Sequence, residues 1–178
     1  MKYIVYYTAV SRGGGGETIL DQYFKRALED AENEWWFIVS LEKYKEQANE
    51  RVHVVYVEIP RGSLIKTYYS RKKYESSGLK KLVKKIQPDG FICMQNTAVS
   101  GITCKQTVYL HQPLQFSPVK YRFLRREERG FAFRQRVICP LIRRSLRKAD
   151  RVIVQTNWMK ESVSKWAAYP SGQIVVIF

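Results

Sequence analysis

Apolar and polar residues alternate along this chain in two different periods. Short and nearly continuous apolar runs, rich in β-branched and aromatic residues, predict strands, whereas apolar residues spaced three or four apart predict helices. The predicted strands are 2–10, 35–40, 52–59, 91–95, 106–110, 151–155 and 173–178. The predicted helices are 19–28 with Thr18 as its cap, 41–49, 63–86 with a break near 76–78, 121–148 with a kink or boundary at Pro140, and 158–166.

This order of elements predicts an α/β protein with a Rossmann-like, doubly wound fold. We expect a mostly parallel sheet of about seven strands with helices on both faces. The sequence contains no internal repeat and no low-complexity linker, so residues 1–178 are expected to form a single domain. Because it closes on a strand-like segment, we expect it to be the N-terminal half of a larger protein.

The net charge of the chain indicates what kind of partner it binds. The 31 basic and 16 acidic residues give a net charge of +15. Residues 61–85 carry a net +8 and residues 120–151 a net +9, so the rest of the chain is slightly acidic. Such basicity indicates a polyanionic partner, which could be nucleic acid, anionic lipid or a phosphorylated substrate.

Both basic segments have the spacing of amphipathic helices. Leu79, Val83 and Ile86 share one face, and a second apolar stripe includes Ile142 and Leu146. The basic residues predicted on the outer faces are Lys80, Lys81, Lys84, Lys85, Arg143, Arg144, Arg147 and Lys148. Few acidic residues neutralise them, and aromatic residues are interleaved, which suits either a membrane interface or stacking on nucleic-acid bases.

The chain has no apolar run of 18 residues and no signal-peptide cleavage pattern, so we expect neither a spanning helix nor secretion. Its three cysteines, Cys93, Cys104 and Cys139, contain no CxxC pair. A disulfide framework or a zinc site is therefore not expected, and a reducing cytoplasm suits the sequence best.

A glycine loop follows the first predicted strand, at Gly13, Gly14, Gly15 and Gly16. In doubly wound folds, backbone N–H groups at this position can face an anion. The loop matches neither the dinucleotide pattern GxGxxG nor the P-loop pattern, because Thr18 follows and no Gly-Lys-Ser/Thr is present. Phosphate contact and a plain flexible turn both stay open.

Each of the two histidines has a predicted place. His111 follows the strand 106–110, and the carboxyl ends of parallel strands line the ligand crevice of such sheets. There it could accept or position a proton near neutral pH, or it could be a hydrogen-bonded structural residue. His53 opens a strand at the opposite edge and is expected to be structural. No metal-ligand cluster is recognisable.

Two strings give the chain a family resemblance: VYLHQP at 108–113 and ADRVIVQTNWMK at 149–160. Together with the first strand and the glycine loop, they resemble the N-terminal, acceptor-binding half of GT-B glycosyltransferases of the family-4 kind. These enzymes act in the synthesis of bacterial capsular and other surface polysaccharides. The resemblance covers nearly the whole chain, but the second domain, with its acidic E-x7-E pair, is absent from it.

The resemblance implies roles for particular residues. The loop Gly13–Gly16 would lie near the donor diphosphate, His111 near the reacting sugar, and Gln112, Thr156 and Asn157 in the acceptor cleft. The domain alone would bind no cofactor, while the full enzyme would take a nucleotide-sugar without an obligatory metal. It would work as a peripheral protein on the inner face of the cell membrane, on a lipid-linked saccharide.

Two other functions stay open on the residues alone. A nucleic-acid-binding module without catalytic activity would use the same basic helices, although the resemblance makes nucleic acid the less favoured partner. A stand-alone regulatory domain would need only the glycine loop to hold a nucleotide phosphate.

Overall fold

The computed structural model describes residues 1–7, 15–60 and 63–177. Seven strands form one sheet, and each overlaps the apolar run that predicted it, although most are shorter than that run. The strands are β1 (Lys2–Tyr7), β2 (Glu34–Val39), β3 (Val52–Tyr56), β4 (Gly90–Cys93), β5 (Lys105–Tyr109), β6 (Arg151–Val154) and β7 (Ile174–Val176). The predicted Rossmann-like fold is confirmed, because all seven strands are parallel and follow the order β3-β2-β1-β4-β5-β6-β7.

The strand order reverses between β1 and β4. Ile4 of β1 pairs with Trp36 of β2 on one side and with Phe91 of β4 on the other. In open α/β sheets this switch point leaves a crevice at the carboxyl edge, where the connections leave in opposite directions. Residues that follow β1, β4, β5 and β6 therefore decide what the fold can bind.

Six α-helices connect the described strands. They are α1 (Gly15–Glu29), α2 (Leu64–Tyr74), α3 (Lys80–Ile86), α4 (Arg129–Phe133), α5 (Cys139–Leu146) and α6 (Asn157–Ala167). A π-helical turn, Glu75–Leu79, joins α2 to α3, and a second one, Arg134–Ile138, joins α4 to α5. Residues Glu42–Gln47 form a 3-10 helix where a short helix was predicted.

The two faces of the sheet carry different cores. On one face, Leu20, Phe24 and Ala27 of α1 pack against Phe37 and neighbouring strand residues. On the other face, side chains of α3, α5 and α6 pack together with inward-facing residues of the central strands. Helices therefore cover both faces, as the apolar strands predicted.

Two sequence-based boundaries are wrong, and two others are confirmed. Thr18 does not cap α1, because that helix already begins at Gly15 and Thr18 lies inside its first turns. The break expected near 76–78 is confirmed, because a π-helical turn separates α2 from α3 there and widens one turn while keeping the chain helical. Pro140 does mark a boundary, since it lies in the first turn of α5, where a missing N–H is tolerated.

The second error lies at the start of the helix predicted for 121–148. Residues 121–125 are not helical, because side chains hold their backbone in an open loop. The Arg122 amide donates to Glu128 at 2.8 Å, and the Tyr121 amide donates to Gln135 at 3.2 Å. Helical structure of the α type begins only at Arg129.

Candidate functional site

The carboxyl edge of the sheet brings together residues from three separate loops. Asn96 follows β4, His111 follows β5 and Thr156 follows β6. Backbone pairing between β1 and β4 continues one residue past the end of β4, since the Met94 amide donates to the Tyr6 carbonyl at 3.0 Å. This places the loop after β4 firmly beside the switch point, next to the loop that carries His111.

Asn96 connects the loops after β4 and β5. Its Oδ1 accepts hydrogen bonds from the amides of His111 at 2.9 Å and Gln112 at 3.2 Å. Its Nδ2 lies 3.3 Å from Nε2 of the His111 ring. Asn96 is 8% exposed and has a φ of +59°, in the left-handed region that asparagine tolerates better than most residues. One buried side chain thus fixes both the backbone and the ring of the candidate histidine.

His111 lies where the sequence predicted, at the carboxyl end of β5. Burial lowers the pKa of its imidazole, because a charged ring would lose hydration there. The ring also lies near Tyr109, with centroids 6.0 Å apart. Its Nδ1 is buried and has no hydrogen-bond partner within the described ranges. A neutral imidazole with one unused nitrogen is suited to meeting a ligand oxygen.

Gln112 lines an open cavity of about 450 Å³ beside His111. Aromatic rings form much of the wall, and they are ordered by contacts with each other. Tyr121 stacks on Phe131 with centroids 5.0 Å apart, and Phe116 meets Trp158 edge-on at 5.8 Å. Arg134 adds a positive charge to the same wall. Stacking surfaces beside one cation suit a ring-shaped polar ligand that carries negative charge.

Thr156 and Asn157 lie at the start of α6, on the same side of the sheet as His111. The Thr156 hydroxyl accepts a hydrogen bond from the Met159 amide at 3.1 Å, so this residue caps the helix. Asn157 is the first helical residue and is exposed. The cap occupies the Thr156 oxygen as an acceptor but leaves its hydroxyl proton available to another group.

The glycine loop is described only in part. Gly13 and Gly14 lie outside the described residues, while Gly15 and Gly16 form the beginning of α1. Among the described residues, a Cβ placed on Gly15 would meet no atom within 4 Å, so packing against them does not demand glycine at this position. Glu17 in the first turn adds a negative charge that complements the helix dipole.

A buried charged cluster beside the switch point was not predicted from the sequence. Glu75 is 3% exposed, with Nζ of Lys72 at 2.6 Å from Oε2 and Nε of Arg71 at 3.3 Å from Oε1. Arg71 also donates to Gln95, two residues beyond β4, at 3.2 Å. The signal in the sequence was the single acid of segment 61–85, three and four residues after two basic ones.

The two basic helices lie on one face of the sheet, because α3 and α5 both belong to the same core. Lys148 donates to the Ser100 hydroxyl at 2.8 Å, and the Lys80 side chain lies against neighbouring Gly101. The connection between β4 and β5 thus touches α3 and the residues just after α5. Seven of the eight predicted basic residues are exposed, and Lys80 is half-buried. We call these eight the basic surface: Lys80, Lys81, Lys84, Lys85, Arg143, Arg144, Arg147 and Lys148.

His53 lies far from this edge, at the amino side of β3. Its Nε2 is 3.1 Å from Glu34, and its ring lies on Trp36 with centroids 4.2 Å apart. These contacts give it a structural place, as the sequence predicted. Within the described ranges, no group of three or more potential ligands could hold a metal ion. In those same ranges, no helix combines the length and apolar character needed to cross a bilayer.

Similar folds occur among solved structures of nucleotide-sugar enzymes. The lipopolysaccharide outer core galactosyltransferase WaaB aligns with 100% of this chain at 15% identity and a TM-score of 0.61. The transferase UGT73P12 of Glycyrrhiza uralensis aligns with 99% at 10% identity and the same TM-score. A UDP-GlcNAc 2-epimerase from Methanocaldococcus jannaschii aligns with 99% at 14% identity and a TM-score of 0.57.

The chain shares the Rossmann-like fold of GT-B glycosyltransferases. At these low identities the likeness is one of fold, and the epimerases share it too. The chain spans 45%, 48% and 45% of these three proteins, which is about half of each. No protein-family model and no curated protein sequence matches it.

Proposed function

We propose that this chain is the acceptor-side domain of a glycosyltransferase of the family-4 kind. It takes part in transferring a sugar from a nucleotide-sugar to a lipid-linked saccharide, in the synthesis of a bacterial surface polysaccharide. The observation that carries the proposal is His111, held by Asn96 at the carboxyl edge beside an aromatic cavity. That edge is where ligands bind in folds of this kind.

The proposed roles come from the family resemblance, and His111, Gln112, Thr156 and Asn157 all follow strands at the carboxyl edge. His111 orients a sugar oxygen at the reacting centre, and Gln112, Thr156 and Asn157 line the acceptor side of the cleft. The glycines Gly13, Gly14, Gly15 and Gly16 approach the donor diphosphate. The nucleotide-sugar is the one small molecule required, and the domain by itself holds no resident cofactor.

The aromatic cavity is the proposed place for a sugar ring of the acceptor. Trp158 is 55% exposed and Phe131 is 48% exposed, so ring surface not covered by Tyr121 or Phe116 is available for stacking against the C–H groups of a pyranose. Arg134 would then meet a carboxylate or phosphate carried by the acceptor. This chemistry suits the acidic sugars and phosphate-linked carriers of surface polysaccharides.

The basic surface is the proposed contact with the cytoplasmic face of the membrane. Basic residues near an anionic bilayer each contribute on the order of 1 kcal/mol of attraction. Eight such residues on one face therefore suffice for peripheral binding without a lipid anchor. The other candidate partner for this charge is nucleic acid, which would bind with a steep dependence on salt.

A second domain that binds the donor is part of the proposal, because the chain spans about half of the transferases that it resembles. We expect the reading frame to continue past residue 178 into another Rossmann-like domain with an E-x7-E pair. We also expect residues 1–178 alone to be inactive. A reading frame that ends near residue 178 would argue against a two-domain enzyme.

The decisive experiment is transfer of a labelled sugar from UDP- and GDP-sugars to a lipid extract by the product of the complete reading frame. We expect labelled lipid with the natural protein and a loss of at least 100-fold with His111→Ala. His53→Ala is the matched control, because it removes the other histidine at the opposite edge and should leave transfer intact. Interconversion of UDP-sugar epimers without transfer would instead favour an epimerase.

Membrane binding is tested separately by sedimentation of the chain with vesicles. We expect binding to vesicles containing phosphatidylglycerol, little binding to pure phosphatidylcholine vesicles, and weak competition from a DNA or RNA oligonucleotide. Release from anionic vesicles by a small excess of oligonucleotide would favour the nucleic-acid function. Failure to bind anionic vesicles at moderate salt would refute the membrane part of the proposal.

A further inference from the structure

We propose that Asn96 is a positioning residue that holds His111 as the neutral tautomer protonated on Nδ1. In this form His111 offers a ligand a hydrogen-bond donor rather than a nitrogen that accepts a proton. The identity of that ligand as a sugar substrate rests on the proposed function. The tautomer itself follows from the contacts between these two residues.

The orientation of the Asn96 amide is fixed by the backbone. Its Oδ1 is the atom that faces the amides of His111 and Gln112, at 2.9 Å and 3.2 Å, and both of those groups can only donate. A flipped amide would point its own NH₂ group at two N–H donors. The group that faces Nε2 of His111, at 3.3 Å, is therefore the NH₂ of Asn96.

That orientation decides which ring nitrogen carries the proton. An amide NH₂ can only donate, so Nε2 of His111 must accept. A neutral imidazole with an accepting Nε2 carries its proton on Nδ1. Burial, which lowers the pKa of His111, keeps the ring in this neutral form around pH 7.

The backbone of Asn96 supports the same arrangement. Its φ of +59° turns the chain sharply just after β4, which brings the side chain back towards the loop after β5. A non-glycine residue in this region is strained, and such strain tends to accumulate at functional sites. Asparagine tolerates the conformation, and its amide serves the two backbone donors and the ring together.

The protonated Nδ1 is the part of the ring left for a ligand. It is buried and has no hydrogen-bond partner within the described ranges. A buried donor without an acceptor weakens the folded state until an oxygen atom reaches it. An oxygen acceptor would relieve that cost once a local rearrangement exposes Nδ1. Nε2 already accepts from Asn96, so it is not free to take a proton from a ligand.

The test is nitrogen-15 NMR of the two imidazole rings in the chain at pH 8. For His111 we expect a protonated Nδ1 and an unprotonated Nε2. His53 is the internal reference with the opposite pattern, because its Nε2 lies 3.1 Å from a Glu34 carboxylate, which can only accept. A protonated Nε2 on His111 in the natural chain would overturn the proposal without any variant.

Asn96→Asp is the matched variant. One carboxylate oxygen still accepts from the amides of His111 and Gln112, and aspartate also tolerates a positive φ, so the loop is retained. The other oxygen replaces the NH₂ group and can only accept, so we expect the proton to move to Nε2. Nitrogen shifts of His111 that do not change in a folded Asn96→Asp chain would contradict the proposal.

Catalysis gives a second and separate readout. In the transfer assay, Asn96→Asp should lower kcat by at least 10-fold while the melting temperature stays close to that of the natural protein. Asn96→Ala removes the clamp on the loop as well and should lower both. The predicted tautomer without any transfer would refute the proposed function alone, whereas full transfer with a reversed tautomer would refute this inference alone.

Discussion

The ammonium of Lys72 lies 2.6 Å from the carboxylate of Glu75, which is almost completely buried. Arg71 approaches the other carboxylate oxygen and also donates to Gln95 beyond β4. The π-helical turn begins at Glu75 itself. This cluster therefore ties the longest helical segment to the carboxyl end of a central strand, close to the candidate site.

Glu75→Gln should destabilise the chain by about 3 kcal/mol, because it leaves two cations without their counter-ion near the core. The measurement is the midpoint of urea unfolding, followed by circular dichroism. Glu127→Gln is the matched control, since Glu127 is exposed and its loss should change stability by no more than about 0.5 kcal/mol. Equal effects of the two substitutions would show that the buried cluster contributes nothing special.

Thr156→Ala should cost about 1 kcal/mol of stability, because the first turn of α6 loses its side-chain cap. Thr156→Ser keeps a hydroxyl at the same place and should retain most of that stability. In the transfer assay, the same pair of variants separates the capping role of Thr156 from its proposed role in the acceptor cleft. Loss of stability in both variants to the same extent would mean that the hydroxyl is not the stabilising group.

Neutralising part of the basic surface should weaken binding to anionic vesicles. Lys84→Gln with Lys85→Gln should reduce the partition coefficient roughly 10- to 30-fold, at on the order of 1 kcal/mol per residue. Arg143→Gln with Arg144→Gln should do the same, and the effects should add because both helices lie on one face. Vesicle sedimentation at several salt concentrations measures these losses.

The control for this prediction is Lys25→Gln with Arg26→Gln. Both residues are exposed on α1, which packs on the opposite face of the sheet. The double variant removes the same amount of charge and should leave vesicle binding within about twofold of the natural chain. A loss equal to that of the other pairs would mean that net charge, rather than one surface, directs binding.

Asp30 makes stability depend on pH in the acid range. Hydrogen bonds from Asn33 and Trp35, with the Glu32 amide, hold the pKa of its carboxyl well below the usual value of 3.8. The stabilisation is present above pH 4 and is lost as the pH falls through the pKa of the folded state.

Asp30→Asn should therefore lower the urea midpoint at pH 6, and its deficit should shrink as the pH is taken towards 3. The midpoint falls because the NH₂ group of the new asparagine faces the side-chain donors of Asn33 and Trp35. The deficit shrinks at low pH because the natural carboxylate then begins to lose its charge. Urea unfolding at four pH values between 3 and 6 measures the slope. A deficit that stays constant over this range would exclude the carboxylate as its source.

The strands were predictable because each is an apolar run long enough to be buried on both faces, and local sequence contains that information. The start of the helix at Arg129 could not be predicted, because the side chains of Glu128 and Gln135 bind backbone amides at the start of 121–125 and keep this segment out of the helix. Hydrophobic periodicity carries no signal for such side-chain to backbone bonds. In the sequence, the π-helical turn at Glu75–Leu79 shows only as a break in the helical pattern near 76–78.

In the candidate site, His111 could be predicted because its place depends on the end of one strand. Asn96 could not, because its role depends on two loops being neighbours across the sheet. The basic faces of the two helices were likewise predictable from spacing. Their position on one side of the molecule became visible only in the structure, where α3 and α5 pack into the same core.

The basic surface lies on the outer side of helices that run alongside the sheet. A bilayer bound there would lie parallel to the sheet, with the central strands about 15 Å above the lipid headgroups, given the thickness of one helix layer. The carboxyl edge would then open sideways, along the membrane plane. The proposed lipid-bound acceptor, diffusing in two dimensions, would then approach His111 laterally, and its glycosylated product would leave by the same route.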